Sequence, residues 1–154
     1  MNEKQTFLLV DDSIDDLVMM REGFAQANCT HPLQEVHNGE EAISYLKGEG
    51  PWSDRSEHPL PIIMLLDLNM PKKNGYDVLV WVRSQPGLKH LTIIILSASM
   101  RNEDVERTYY LGASGFLVKP STLEKLVTMM RSLCAWIEIN HFPPLRELAE
   151  ESKL

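Results

Sequence analysis

The chain has 154 residues, of which 44% are apolar and 24% charged, a balance typical of a globular domain with its own core. Its net charge is −7 and its basic residues are scattered, so we expect no nucleic-acid-binding surface. No apolar stretch reaches the roughly 18 residues that a membrane-spanning helix needs, and the start of the chain is unlike a signal peptide. We therefore expect a cytoplasmic protein with no membrane segment.

The two cysteines, Cys29 and Cys134, lie far apart in the sequence and show no metal-binding spacing. In a reducing compartment, such cysteines usually serve as small apolar side chains. The sequence therefore predicts two free thiols.

Short apolar runs alternate with segments of helical period along the chain. The predicted strands cover residues 7–10, 33–36, 62–66, 91–97 and 115–118. The predicted helices cover residues 14–27, 39–48, 75–85, 101–111 and 122–139. Strands that are almost continuously apolar and alternate with helices are typical of a parallel sheet covered on both faces. The sequence therefore predicts a doubly wound α/β domain with five strands and five helices.

The last helix has a start signal, because Ser121 and Glu124 match the S-x-x-E capping box. Residues 49–61 are rich in proline, serine and charged side chains, which indicates a loop. We expect residues 1–139 to form one domain. Residues 140–154 are too few for a second domain, and we interpret them as a C-terminal extension.

Polar side chains follow four of the five predicted strands. In doubly wound sheets, ligands bind beyond the carboxyl ends of the strands, where the strand order reverses. The polar residues at these ends are Asp11, Asp12 and Ser13, Asp67 and Asn69, Ser97 and Ser99, and Lys119. The sequence therefore predicts a site with three carboxylates, hydroxyl groups and one ammonium group at a single edge of the sheet.

The chemistry of this predicted site follows from its charges. Three neighbouring carboxylates repel one another, which raises the pKa of at least one unless a cation is present. Mg²⁺ prefers oxygen ligands and is often held by one or two carboxylates together with a phosphate. Beside such an ion, Asp67 can stay ionised and attack phosphorus to form an aspartyl phosphate. Lys119 would offset charge on the phosphoryl oxygens, and Ser97 would hydrogen-bond to them.

Four segments, "LLVDDS", "LLDLNMP", "IIILSAS" and "GASGFLVKP", resemble in order and spacing the motifs of response-regulator receiver domains from two-component signalling. The resemblance covers residues 6 to about 139. It implies the flavodoxin-like receiver fold with strand order 2-1-3-4-5. It also implies that a sensor histidine kinase donates the phosphoryl group from a phosphohistidine, and that the receiver catalyses this transfer onto itself without being a turnover enzyme.

Carried over to this sequence, the resemblance implies a role for each motif residue. Asp67 would be the phosphoacceptor, and Lys119 would pair with the phosphoryl group through a motif whose Lys119-Pro120 bond is cis. Ser97 would be the hydroxyl switch residue and Phe116 the aromatic one that changes rotamer. The implied Mg²⁺ ligands are Asp12, Asp67, the backbone carbonyl of Asn69 and, through water, Asp11.

The loop at residues 49–61 and the C-terminal extension also resemble features of small response regulators that partner phytochrome-type histidine kinases. Regulators of that kind often form homodimers through the face from the fourth to the fifth helix and through the tail. The resemblance therefore implies a homodimer, and output through contact with a downstream protein target. Tyr109 and Tyr110 are expected to belong to that face.

Other interpretations remain open at this point. Taken alone, Asp11-Asp12 is equally consistent with a helix N-cap, and Ser97 with an ordinary strand-end hydrogen bond. A phosphatase of the haloacid-dehalogenase type also uses an aspartyl nucleophile, but it needs an acid/base aspartate where this chain has Asn69. A nucleotide- or flavin-binding module would need a glycine-rich phosphate loop after the first strand, where this chain has carboxylates instead.

Overall fold

A computed structural model of the chain describes residues 5–148 and contains a five-stranded parallel sheet with helices on both faces. The strands are β1 (Phe7–Val10), β2 (Leu33–Val36), β3 (Ile63–Leu66), β4 (Thr92–Ser97) and β5 (Gly115–Val118). The helices are α1 (Ile14–Gln26), α2 (Gly39–Lys47), α3 (Gly75–Ser84), α4 (Asn102–Tyr110) and α5 (Leu123–Ile139). The strand order is β2-β1-β3-β4-β5, which confirms the predicted fold.

The central strands are apolar throughout because both faces of the sheet are covered. All four residues of β1 and all four of β3 are buried. Successive β1 residues face opposite sides: Leu8 and Val10 belong to the cluster that includes α2 and α3 side chains, and Phe7 and Leu9 to the cluster that includes α1 and α5 side chains. The strand order reverses between β1 and β3, so the carboxyl ends of these two strands form the edge where a ligand is expected.

The helix starts are set by short polar side chains, with one difference from prediction. Thr122, not Ser121, is the N-cap of α5, and its hydroxyl accepts a hydrogen bond from the Lys125 N–H at 3.2 Å. The predicted capping box at Ser121 and Glu124 is therefore wrong by one residue. Thr122 directly precedes the first helical residue, Leu123, so its hydroxyl is the one in register with an unpaired N–H of the first turn.

The loop between α2 and β3 and the C-terminal extension lie against each other. The loop contains a single 3₁₀ turn, Gly50–Trp52, which the sequence did not predict. Arg55 donates hydrogen bonds to the carbonyl groups of Tyr45 and Leu46 at the end of α2, both at 2.8 Å, and pairs with Glu147 at 2.9 Å. The extension is predicted to span residues 140–154, of which 149–154 lie outside the described part.

The described part of the extension, residues 140–148, is held against the domain. The Arg146 N–H donates to the carbonyl group of Gly87 at 2.9 Å, and Leu145 and Leu148 pack against the core cluster that includes α2 and α3. Phe142 lies edge-on to Trp136 of α5, with ring centroids 5.6 Å apart. Within residues 5–148, no helix combines the length and apolar character required to cross a membrane.

Cys29 and Cys134 form a disulfide, so the prediction of free thiols is wrong. The bond joins the segment after α1 to the middle of α5, with a Cα–Cα distance of 6.2 Å. The sequence separation of 105 residues conceals this proximity, which arises because α1 and α5 pack on the same face of the sheet.

We expect reduction of the disulfide to lower the free energy of unfolding by roughly 3–5 kcal/mol, because the bond closes a long loop in the unfolded chain. Urea denaturation with and without a reductant measures the change. The double variant Cys29→Ala/Cys134→Ala is the control, and its unfolding midpoint should not respond to the reductant. A wild-type midpoint that is equally indifferent would contradict the prediction.

Candidate functional site: an acidic edge with one lysine

Three carboxylates meet at the carboxyl ends of β1 and β3. Asp11 and Asp12 follow β1 directly, and Asp67 follows β3. The Asp67 N–H donates to the carbonyl group of Val10 at 3.0 Å, so the pairing of the two strands continues into the site. One carboxylate oxygen from each of the three aspartates lies within 4.8 Å of the others. Asp11 and Asp67 are buried and Asp12 is exposed, so the cluster opens to solvent on one side.

The loop after β3 folds back over the end of its own strand. The Gly75 N–H donates to the carbonyl group of Leu68 at 3.0 Å. A Cβ atom at position 75 would collide with the backbone carbonyl of Asp67, so α3 can start this close to the site only with glycine there. Against the upward shift that burial causes, the backbone N–H of Asn69 lowers the pKa of the Asp67 carboxylate.

Lys119 lies beside the three carboxylates at the end of β5. Its backbone N–H donates to the backbone carbonyl group of Ser97 at 2.8 Å, which joins the end of β5 to the end of β4. Its ammonium group donates to Asp11 and to Asp16, each at 2.8 Å, and lies 3.7 Å from Asp67 Oδ1. The structure thus brings Asp67 and Lys119 together and adds Asp16 to the predicted set.

The electrostatics of the site favour a bound cation. Burial raises the pKa of Asp67 to about 6; Lys119 opposes this shift, and the charges of Asp11 and Asp12 add to it. Burial lowers the pKa of Lys119, but its hydrogen bonds to Asp11 and Asp16 outweigh burial, and the net shift is upward. Three close carboxylates with one ammonium leave excess negative charge among oxygen ligands. Such a donor set fits a hard divalent ion.

The two predicted switch residues lie on neighbouring strands. Ser97 is fully buried at the end of β4, and its hydroxyl oxygen accepts a hydrogen bond from the Ser99 N–H at 3.1 Å. Phe116 on β5 is partly buried and packs against the core cluster that includes α2 and α3. The Lys119–Pro120 bond, expected to be cis, is trans, which is the isomer that X-Pro bonds usually adopt.

A hydrogen-bond network leads from Ser97 to α3 and α4. Asp104 on α4 accepts from the hydroxyl groups of Ser99 and Tyr76, both at 2.6 Å, and from Arg101 at 3.1 Å. The hydrogen bonds from Arg101, Ser99 and Tyr76 hold the pKa of Asp104 well below its usual range. The guanidinium group of Arg107 lies 3.9 Å from the centroid of the Tyr76 ring. The loop between β4 and α4 is thus fastened to both helices.

The sequence interpretation missed Asp16 and Asp104. Asp16 appeared to be an ordinary acidic residue in the first turn of α1, beside Asp15. The spacing was one available signal, because Asp16 lies four residues after Asp12 and close to the start of α1. Side chains on a helix tilt toward its N-terminus, so the Asp16 side chain is directed back toward the end of β1. The sequence carries no corresponding signal for Asp104, whose partners Tyr76 and Ser99 come from other elements.

We expect Asp67→Asn to raise the free energy of unfolding of the metal-free protein by about 2–3 kcal/mol at pH 8. The pKa of Asp67 is about 6 in the folded chain, against an ordinary value of 3.8. Deprotonation of Asp67 therefore lowers the free energy of unfolding of the wild type progressively between pH 4 and pH 6, and by the full amount above pH 6. The advantage of the variant should therefore vanish as the pH falls to 4. Denaturant unfolding in a chelator measures it.

Asp15→Asn is the control for this experiment, since it removes an exposed carboxylate from the same end of the sheet and should change stability by less than about 0.5 kcal/mol. An effect of Asp67→Asn that does not depend on pH would contradict the prediction.

Comparison with known proteins identifies the family. Residues 7–131 match the response regulator receiver domain. The chain is 31% identical over 143 residues to the response regulator Rcp1 of Synechocystis sp., covering 92% of this chain and 95% of Rcp1. A solved structure of the Mn²⁺-bound form of Rcp1 aligns with a TM-score of 0.78 at 31% identity and covers 90% of this chain and 99% of that one.

Two further solved structures are similar. The response regulator RPA3017, in red light signalling of R. palustris, has a TM-score of 0.86 at 34% identity and covers 90% of this chain and 98% of its own. The phosphorylated cyanobacterial phytochrome response regulator RcpA has a TM-score of 0.82 at 30% identity, and the alignment covers 92% of this chain and 99% of RcpA. These matches support neither the phosphatase nor the nucleotide-binding alternative. The chain belongs to the response regulator receiver family and is a response regulator related to Rcp1 and to phytochrome response regulators.

Proposed function

We propose that this response regulator accepts a phosphoryl group on Asp67 and signals through a change in the packing around β4, α4 and β5. The observation that carries the proposal is the position of Asp67. It is a buried carboxylate within 4.8 Å of two others and 3.7 Å from the Lys119 ammonium group. Removing solvent around a nucleophile while keeping a cation beside it suits attack on phosphorus.

The metal ion of the proposed reaction is Mg²⁺. The carboxylates of Asp12 and Asp67, the backbone carbonyl of Asn69 and, through water, Asp11 would hold it. The relative Rcp1 has a Mn²⁺-bound form, which supports a divalent ion, and the all-oxygen donor set suits Mg²⁺ in particular. When bound, the ion offsets charge on the phosphoryl oxygens.

The proposed donor is the phosphohistidine of a sensor histidine kinase. A carboxylate oxygen of Asp67 attacks phosphorus, the P–N bond to the donor imidazole breaks, and the phosphoryl group becomes an acyl phosphate on Asp67. The Lys119 ammonium group stabilises its oxygens. Slow hydrolysis of the acyl phosphate by water releases inorganic phosphate and restores the Asp67 carboxylate. Because the receiver catalyses the transfer onto itself, it is not a turnover enzyme. The relatives RcpA and RPA3017 support a phytochrome-type kinase as the partner. The proposed location of the reaction is the cytoplasm.

The proposed switch begins at Ser97. Within residues 5–148, the hydrogen bond of its hydroxyl group is the one that it accepts from the Ser99 N–H, so the hydroxyl has a proton to donate to a phosphoryl oxygen. Its movement would vacate space for the Phe116 ring and reshape the surface of α4, β5 and α5. A downstream protein would read that surface by contact, since the net charge of −7 does not suit nucleic acid.

We expect acetyl phosphate with Mg²⁺, or a phosphorylated histidine kinase domain, to add one phosphoryl group to the wild type and none to Asp67→Asn. Intact-mass spectrometry measures the addition, and a chelator should abolish it. Asp15→Asn, which removes a nearby exposed carboxylate, is the control and should still be modified. Equal modification of Asp67→Asn and the wild type would rule out Asp67 as the acceptor.

We also propose a homodimer through the face formed by α4, β5 and α5, to which the C-terminal extension would add. This face carries two exposed aromatic side chains, Tyr110 at 90% and Tyr109 at 51% exposure, and Met100, in the loop just before α4, is 74% exposed. Exposed apolar area of this kind is typical of a protein contact surface.

We expect the wild type to sediment as a dimer at tens of micromolar and Tyr110→Asp to sediment as a monomer, because the substitution places a charge in the proposed interface. Val80→Asp is the matched control, since Val80 is 51% exposed on α3, and this variant should remain a dimer. A monomeric wild type, or equal dissociation of both variants, would refute this interface.

A further inference from the structure

We propose that Asp16 is a positioning residue that holds the Lys119 ammonium group away from Asp67. A phosphoryl group on Asp67 then takes the place of Asp16 as the partner of Lys119. The inference rests on the proposed phosphorylation of Asp67. An ammonium group has three N–H donors, and two of those of Lys119 are directed at Asp11 and Asp16, each at 2.8 Å. The distance to Asp67 Oδ1 is 3.7 Å, too long for a hydrogen bond.

The backbone holds both partners in place. Asp16 is the third residue after Ser13, the N-cap of α1, and its N–H donates to the Ser13 hydroxyl at 3.2 Å. Lys119 is held through its own N–H by the carbonyl group of Ser97. Only the side chains are therefore free to exchange partners, and the ammonium group has a short path from Asp16 to Asp67.

The two carboxylates that bind Lys119 differ in exposure. The side chain of Asp11 is 2% exposed and that of Asp16 is 41% exposed. Releasing a half-exposed carboxylate into water costs little, whereas a buried one left without its partner is strongly destabilising. Asp16 is therefore the partner that Lys119 gives up when phosphoryl oxygens appear on Asp67.

This exchange makes Asp16 a competitor of the phosphoryl group. Neutralising Asp16 weakens the competing bond and lessens the negative charge that repels an anion, so a phosphoryl mimic should bind more tightly. The same change removes negative charge near the cation position, so a divalent ion should bind less tightly. Opposite effects on the two ligands distinguish this role from simple damage to the fold, which would weaken both.

The simplest alternative is that Asp16 only complements the helix dipole at the start of α1. Asp15 is the matched control, because it belongs to the same first turn and carries the same charge. Within residues 5–148, the carboxylates within 4.0 Å of the Lys119 ammonium group are those of Asp11, Asp16 and Asp67. Substituting Asp15 therefore removes a negative charge of the same helix turn without removing a contact to Lys119.

The experiment compares the full chain with its Asp16→Asn and Asp15→Asn variants. Beryllium fluoride, a phosphoryl mimic, is titrated at saturating Mg²⁺ and followed by ¹⁹F NMR, and Mg²⁺ alone is titrated by calorimetry. We expect Asp16→Asn to bind beryllium fluoride roughly two- to fivefold more tightly than the wild type and Mg²⁺ more weakly. Asp15→Asn should lie close to the wild type for both ligands, and Asp16→Glu, which keeps the charge, should restore wild-type affinities.

Beryllium fluoride binding to Asp16→Asn that is no tighter than binding to the wild type, or that equals binding to Asp15→Asn, would overturn the role of Asp16 while leaving the proposed phosphorylation intact. A wild type that neither binds beryllium fluoride nor takes a phosphoryl group from acetyl phosphate would overturn both proposals. Thermal unfolding of each variant confirms that the compared proteins are folded.

Discussion

The attraction between one ammonium group and the carboxylates around it is the constraint on which the rest of the site depends. Lys119 comes from the end of β5, whereas its partners come from β1, β3 and α1, so the full strand order is needed to assemble them. One positive charge does not balance this set, and burial adds to the penalty on Asp67. The edge of the sheet is therefore held together while it remains receptive to a further cation.

The same edge is connected by hydrogen bonds to the loop and helices of the proposed switch. The N–H of Ser99 binds the hydroxyl of Ser97, and the hydroxyl of Ser99 binds Asp104. Asp104 also binds Tyr76 at the start of α3. A movement of the buried serine thus meets resistance from two helices at once. In the proposed switch, such coupling would favour two discrete arrangements over a graded response.

Much of the site was predictable because parallel strands end at a common edge. The residues after β1, β3, β4 and β5 therefore identify one location, even though they are spread over more than 100 positions from Asp11 to Lys119. The missed contacts depend on packing between elements. Asp16 and Asp15 look alike in sequence, and only the rotation of α1 directs one of them at Lys119. Cys29 and Cys134 meet because α1 and α5 share a face, a relation that sequence spacing does not encode.

Two local errors have different causes. Ser121 and Thr122 are both good N-cap residues, and the choice between them depends on where the packed face of α5 begins. The isomer of the Lys119–Pro120 bond was inferred by resemblance and not from the residues themselves. The N-cap position thus depends on packing, whereas the trans bond is the ordinary isomer that X-Pro bonds adopt.

Arg55 joins three parts of the chain that the sequence suggests are separate. Its side chain binds two carbonyl groups at the end of α2, the carbonyl group of His58 in the following loop, and Glu147 in the C-terminal extension. The extension therefore acts as a brace across the end of the sheet opposite the acidic site. Truncating the chain near residue 140 would leave the Arg55 guanidinium group without its counter-ion Glu147 and would expose the surface beneath Leu145. A deletion therefore removes the support of this end of the sheet together with any role of the extension in assembly.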